Sequence, residues 1–138
     1  MDPAASVRSF YDVINSGDLD QFIGLLAEDF VEHEETPVPG SGREAVKQLF
    51  AMMQSAFPNM RWEPQEVLVD GDRAVARVRF SGTNDGEFMG TPATGKDVSI
   101  QVIDIIRFGE DGLAREHWGL LDMMGLMQQL GAVPGGPA

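Results

Sequence analysis

The sequence has no cysteine, a single tyrosine, two histidines, and ten basic side chains against twenty-two acidic ones. Without cysteine there is no disulfide, no thiolate nucleophile, no iron–sulfur cluster and no cysteine-bound zinc. His33 and His117 lie far apart, and no His-x-x-x-His spacing occurs, so neither a metal nor another cofactor is expected. Gly-x-Gly-x-x-Gly, the phosphate loop and Gly-x-Ser-x-Gly are also missing, which removes the usual support for dinucleotide, nucleotide and serine-hydrolase chemistry. The shortage of bases leaves a formal charge of −12. A field of that sign repels phosphate backbones and anionic lipid, so no nucleic-acid or membrane partner is expected. No apolar run approaches the roughly 20 residues that span a bilayer, and the start MDPAASVRSF lacks the basic and apolar regions of a signal peptide. The expectation is a soluble, cytoplasmic protein that keeps its N-terminus.

What is present suits one packed core: 138 residues, 43% of them hydrophobic. We read a single domain over residues 1–131 and a loose, Gly- and Pro-rich tail over 132–138. Val7, Phe10, Tyr11 and Ile14 recur at helical spacing after Pro3, and Ser16-Gly17 ends that helix. Asp18, with Gln21 three residues on, opens a second helix carrying Leu19, Phe22, Ile23, Leu25 and Leu26. A short strand over Phe30 to His33 and a loop over Thr36 to Gly42 follow. Ser41-x-x-Glu44 reads as a capping box for a third helix that buries Val46, Leu49, Phe50 and Met53. The period then changes to two. Arg61 to Val69 and Arg73 to Phe80 flank Asp70-Gly71-Asp72, a hairpin signal, with Ala74, Ala76, Val78 and Phe80 inward and Arg73, Arg77 and Arg79 outward. Val98 to Phe108 and Leu113 to Leu121 form a second hairpin across Gly109-Glu-Asp-Gly112, and Met123 to Leu130 a C-terminal helix. Helices first and hairpins afterwards predict an α+β domain, with three N-terminal helices covering one face of a curved antiparallel or mixed sheet. A curled sheet and its helices enclose a cone whose mouth admits a ligand.

Several local strings resemble those of one family. They are Phe10-Tyr-x-x-Ile-Asn-x-Gly-Asp18, Asp29-Phe-Val-Glu-His33, Gly95-Lys-x-Val98, Ile103-Asp-Ile-Ile-Arg-Phe108, and Glu116-His-Trp-x-x-x-Asp122 running into Gly125-Leu-x-x-Gln-Leu-Gly131. Covering nearly the whole chain, they resemble the SnoaL-like polyketide cyclases of the nuclear-transport-factor-2-like superfold. The resemblance implies a cone-shaped α+β barrel, a cofactor-free internal site, and an oligomer, a homodimer or homotetramer, built by packing sheets outside the cones. It implies further that Asp122 is the general acid/base of an intramolecular aldol closure on an aromatic polyketide ester, and that His33 is a pocket histidine.

The residues themselves leave alternatives open. Asp122 suits proton transfer if Trp118, Leu120, Leu121 and the methionines desolvate it, yet it also stands where a carboxylate would cap the last helix. His33 sits among acids that favour an imidazolium, in a pocket or on a solvated segment; if Val31 faces the core, His33 does too. Asp104 interrupts an apolar strand and shares a face with Val102 and Ile106, so it is either a pocket acid pairing with His33 or a structural acid bonded to arginine. His117 points opposite to Trp118 and lies outside if Trp118 lines the cavity. Trp62, Phe50 and Met53, with Trp118 and Leu120, are the expected substrate-contacting wall. The expected function is therefore a cofactor-independent cyclase with Asp122, His33 and Asp104 catalytic. The alternatives are an epoxide hydrolase using Asp104, Arg107 and Asp122, a ketosteroid-type isomerase, or a non-catalytic module that binds a hydrophobic small molecule.

Overall fold

The computed structural model describes residues 1–35 and 40–132. Helix α1 (Pro3–Ser16) starts where the Asp2 carboxylate accepts the Ala4 N–H and Pro3 gives up no needed donor. It stops at Gly17, whose φ of 83° closes the last turn in the left-handed region. Its expected stripe of Val7, Phe10, Tyr11 and Ile14 is buried. Asp18 caps α2 (Leu19–Ile23) through the Gln21 N–H. This helix is shorter than its apolar run, because Leu26 already belongs to strand β1 (Leu26–Glu32), which starts earlier than the expected Phe30. Helix α3 (Gly42–Ala56) begins after Ser41 as expected, but the Ser41 side chain makes no capping bond, so the capping box is present in sequence and not in geometry. Of the loop expected over Thr36 to Gly42, residues 36–39 lie outside the described residues, as do 133–138 of the expected tail.

Strands β2 (Arg61–Asp70) and β3 (Arg73–Thr83) form the hairpin, with Asp70 opposite Arg73 and Gly71 at φ 61° in the two-residue turn. Strands β4 (Asp97–Phe108) and β5 (Ala114–Leu121) follow, and α4 (Met123–Gln129) ends the described chain. The sheet order is β1-β5-β4-β3-β2. All neighbours are antiparallel except β1 with β5, so the sheet is mixed. The domain is α+β, as expected, an open curled sheet with helices on its inner face.

Strand parity sorts the side chains. Ala74, Ala76, Val78 and Phe80 of β3 and Val98, Ile100, Val102 and Ile106 of β4 are buried in the same core as the inner residues of α1 and α3, while the arginines of β3 face out. Asn15 ties α1 to the edge strand: it donates to the Trp62 carbonyl and accepts the Trp62 N–H, each at 2.8 Å. That fixes the helix over the inner face and leaves a hollow between α1, α3 and the β1–β5–β4 side of the sheet.

Candidate functional site

The hollow is apolar over most of its wall. Phe10, Ile14, Phe22, Phe50, Trp62 and Val102 are among its lining side chains, and Phe22, Phe50 and Trp62 form a chain of tilted ring contacts. Polar groups gather at one end, and the register explains why. His117 lies opposite Ile106 on β4 and opposite Glu32 on β1, so it shares the inner face with both. Asp104 is opposite Gly119, two residues from His117 on that same face. Beyond β1, the alternation that turns Phe30 and Glu32 inward also brings Glu34 to the cavity.

These groups are bonded to one another. His117 Nε2 lies 2.7 Å from Asp104 Oδ1 and Nδ1 lies 2.6 Å from Glu32 Oε2. The Tyr11 hydroxyl, reaching across from α1, donates to Asp104 Oδ2. Burial alone would pull the His117 imidazole down, but the hydrogen bonds and charges of Asp104 and Glu32 outweigh it and push the ring up to about 10. It is therefore an imidazolium at neutral pH, donating from both nitrogens. Burial, reinforced by Asp104, raises Tyr11 well above the ordinary phenol value, so it stays a neutral donor. Burial also raises Glu34; the His117 cation opposes this, and Asp104 and Glu32 add to it.

Gly119 makes this packing possible. A Cβ at that position would stand 2.7 Å from His117 Cε1 and 3.0 Å from both Asp104 Oδ1 and Glu34 Oε2. The missing side chain is the space the charged groups occupy. Glu32, Glu34 and His117 also offer donor atoms within 4.8 Å of one another, a spacing a metal ion could bridge. In this structure both His117 nitrogens are bonded to carboxylates, Nε2 to Asp104 and Nδ1 to Glu32.

Several expected site residues take these places. Asp104, Trp62, Phe50 and Met53 line the cavity. His33 does not: Val31 is 45% exposed, so the parity that would have turned His33 inward turns it outward. There it stacks on Trp118 with ring centroids 4.6 Å apart and bonds Glu116 at 2.7 Å. Trp118 is thus on the outer face, with the Arg73 guanidinium 4.9 Å from its ring, and Leu120 beside it is 78% exposed. Neither lines the cavity, and His117, expected outside on the premise that Trp118 was inside, is the inward member of the pair. Asp122 is exposed and caps α4, accepting the Gly125 N–H at 2.9 Å. The reason is local: a carboxylate one residue before a helix satisfies otherwise orphaned amides, and no wall encloses it. Arg107 is bonded to Glu116 at 2.7 Å, so Asp104, Arg107 and Asp122 do not converge as epoxide opening would need.

Sequence reasoning passed over Tyr11, Glu32, Glu34 and Gly119. Their signals were a lone tyrosine hydroxyl on a buried stripe, acids alternating with the core residue Phe30, and a glycine inside a strand. Among the described residues no helix is long and apolar enough to cross a membrane.

The family model of SnoaL-like polyketide cyclases matches residues 4–130. Among solved structures, AclR from Streptomyces galilaeus, a candidate hydroxylase, is 29% identical with a TM-score of 0.86, covering 98% of this chain and 84% of AclR. TsrD from Streptomyces laurentii is 32% identical with a TM-score of 0.82, covering 96% and 99% of the two chains. IdmH from Streptomyces antibioticus, a candidate polyketide cyclase, is 30% identical with a TM-score of 0.81, covering 95% and 99%. No functionally curated protein matches the sequence.

Proposed function

The chain belongs to the SnoaL-like polyketide cyclase family, and from that premise we propose that it closes a ring in a polycarbonyl, polyketide-like substrate by an intramolecular aldol addition. The observation carrying this reading is the His117 imidazolium, held between Asp104 and Glu32 at the polar end of an apolar cavity. Aldol closure removes a proton from carbon between carbonyls, holds the enolate, and returns a proton to the new alkoxide. A fixed cation beside the reacting carbons lowers the energy of the enolate and alkoxide oxygens, most effectively where water is scarce. Carboxyl groups beside it supply the proton transfers. The polycarbonyl chain spreads its own enolate charge, so these side chains suffice, and the aromatic wall of Trp62, Phe50 and Phe22 suits a flat fused-ring substrate.

Incubation with an aromatic poly-β-carbonyl methyl ester tests the reading. The expected product has unchanged mass and one fewer ketone, and deuterium enters the acidic carbon position in heavy water. The likeness to AclR favours a second reading, a part in hydroxylation, for which the product would gain an oxygen atom. Failure of the wild-type protein to accelerate either closure or exchange would remove the cyclase assignment.

The outer sheet face suits a second copy of the chain. Val31, Leu68, Ile103 and Leu120 are exposed there beside the ion pairs Arg107–Glu116 and Arg77–Glu66. Light scattering with Leu120→Glu tests this, the substitution being expected to yield a monomer.

A further inference from the structure

Three of the groups at the polar end are bonded to one another. His117 spends both ring N–H groups on Asp104 and Glu32. Asp104 receives His117 on Oδ1 and the Tyr11 hydroxyl on Oδ2. Glu32 Oε2 receives His117 and also the backbone N–H of Glu34, at 3.3 Å. Both Asp104 oxygens and Glu32 Oε2 thus already face donors of the protein. A histidine with no free N–H has nothing to hand to substrate.

Glu34 differs. It lines the cavity, its oxygen lies within 4.8 Å of donor atoms of Glu32 and His117, and its carboxyl makes no hydrogen bond among the described residues. The empty side-chain position of Gly119 lets its Oε2 rest against the cluster, at the same 3.0 Å from a Cβ there as Asp104 Oδ1.

We propose that Glu34 is the catalytic residue that carries the proton, and that Asp104, His117 and Glu32 with Tyr11 are a fixed charged frame that positions it. This rests on the ring-closure reading. The Glu34 carboxylate takes a proton from the carbon between two carbonyls, and the C–H electron pair becomes the enolate. That carbon attacks a second carbonyl of the same molecule, forming the C–C bond and breaking the C=O π bond to leave an alkoxide. Glu34 returns its proton to the alkoxide, so atoms and electrons balance without a co-reactant. Burial fits the group for both halves: a carboxyl held above the usual glutamate range is a stronger base when ionised and is more often protonated at neutral pH. The groups facing it are Glu32, Asp104, His117 and Tyr11, with the exposed Glu35 on the same cavity wall.

The test uses the full chain with Glu34→Gln, and His117→Gln beside it. A carbon-13 carboxyl titration of glutamate-labelled protein should find one glutamate titrating above the others, its signal missing from E34Q. A methyl ester of an aryl poly-β-ketone in heavy water serves as probe. E34Q should slow its carbon–hydrogen exchange roughly 100-fold or more while leaving probe affinity, read by tryptophan fluorescence, within about twofold. Exchange by E34Q at the wild-type rate, or a Glu34 that titrates with the other glutamates, overturns the assignment and leaves ring closure standing. A wild type that binds the probe without exchanging it overturns ring closure, and the role of Glu34 with it.

Discussion

The two histidines of this chain belong to neighbouring segments, His117 on β5 and His33 just beyond β1, yet they do opposite things. His117 on the inner face is enclosed, bonded to two carboxylates and fixed as a cation. His33, just past the end of β1, donates to one carboxylate, Glu116, which Arg107 also holds, and lies flat on Trp118 where water reaches it. The same residue type beside the same kind of partner is worth different amounts of free energy, because the surroundings set the cost of leaving a charge unpaired.

The sharpest way to break that contrast is to remove each ring in turn. His117→Gln leaves Asp104 and Glu32 close together with no cation between them, and losing one partner of a buried ionic cluster costs roughly 3–5 kcal/mol. Chemical denaturation should show that loss, and turnover on a poly-β-carbonyl substrate should fall by about two orders of magnitude. His33→Gln should cost under about 1 kcal/mol and leave turnover at the wild-type level. Equal costs for the two variants would dissolve the distinction between the faces.

A pH series separates the faces without mutation. His117 is raised from 6.5 to about 10 in the folded chain, so its stabilisation is complete below about 6.5 and disappears as pH climbs through 10. On the outer face, hydrogen bonds from His33 and Arg107 lower the Glu116 carboxyl. Its contribution is present above its unfolded value of 4.5 and is lost in acid as pH falls through the lower folded value. Denaturation midpoints should therefore decline on the alkaline side in the wild type and lose that decline in His117→Gln. A decline retained in the variant would place its origin elsewhere.

Gly119→Ala ranks next. The added methyl must displace His117, Asp104 or Glu34, the kind of overpacking that costs about 1–3 kcal/mol, and it should lower turnover more than stability because it disturbs geometry at the site. A crystal structure of the variant with His117, Asp104 and Glu34 all in their original positions would defeat this.

Most of the architecture could be read from the sequence because periodicity reports burial directly. The stripe of α1, the alternation of β3 and the Gly71 turn each restate one physical constraint. The site was less legible because strand parity gives relative orientation and not which face is inner. Taking Trp118 as an inner residue put His117 and Leu120 on the wrong sides, and taking Val31 as a core residue did the same for His33. One anchor, Phe30 in the core rather than Val31, corrects them all and brings Glu32 and Glu34 inward. Tyr11 was hidden for another reason: its bond to Asp104 joins a helix and a strand ninety-three positions apart, which no local pattern encodes.

Asp122 provides the smallest and most discriminating effect. Its carboxylate holds the Gly125 N–H at the start of a seven-residue helix, and loss of such a cap costs about 1 kcal/mol. Asp122→Ala should therefore lower stability by that amount. Asp122→Asn, which keeps a side-chain oxygen to accept the amide, should be nearly neutral. Neither should change turnover, since the side chain faces solvent and the cavity wall does not include it. If Asp122→Asn folded normally and lost two orders of magnitude in rate, the carboxyl would have to reach the substrate from the rim, and proton transfer would belong to the end of β5 rather than to the inner cluster.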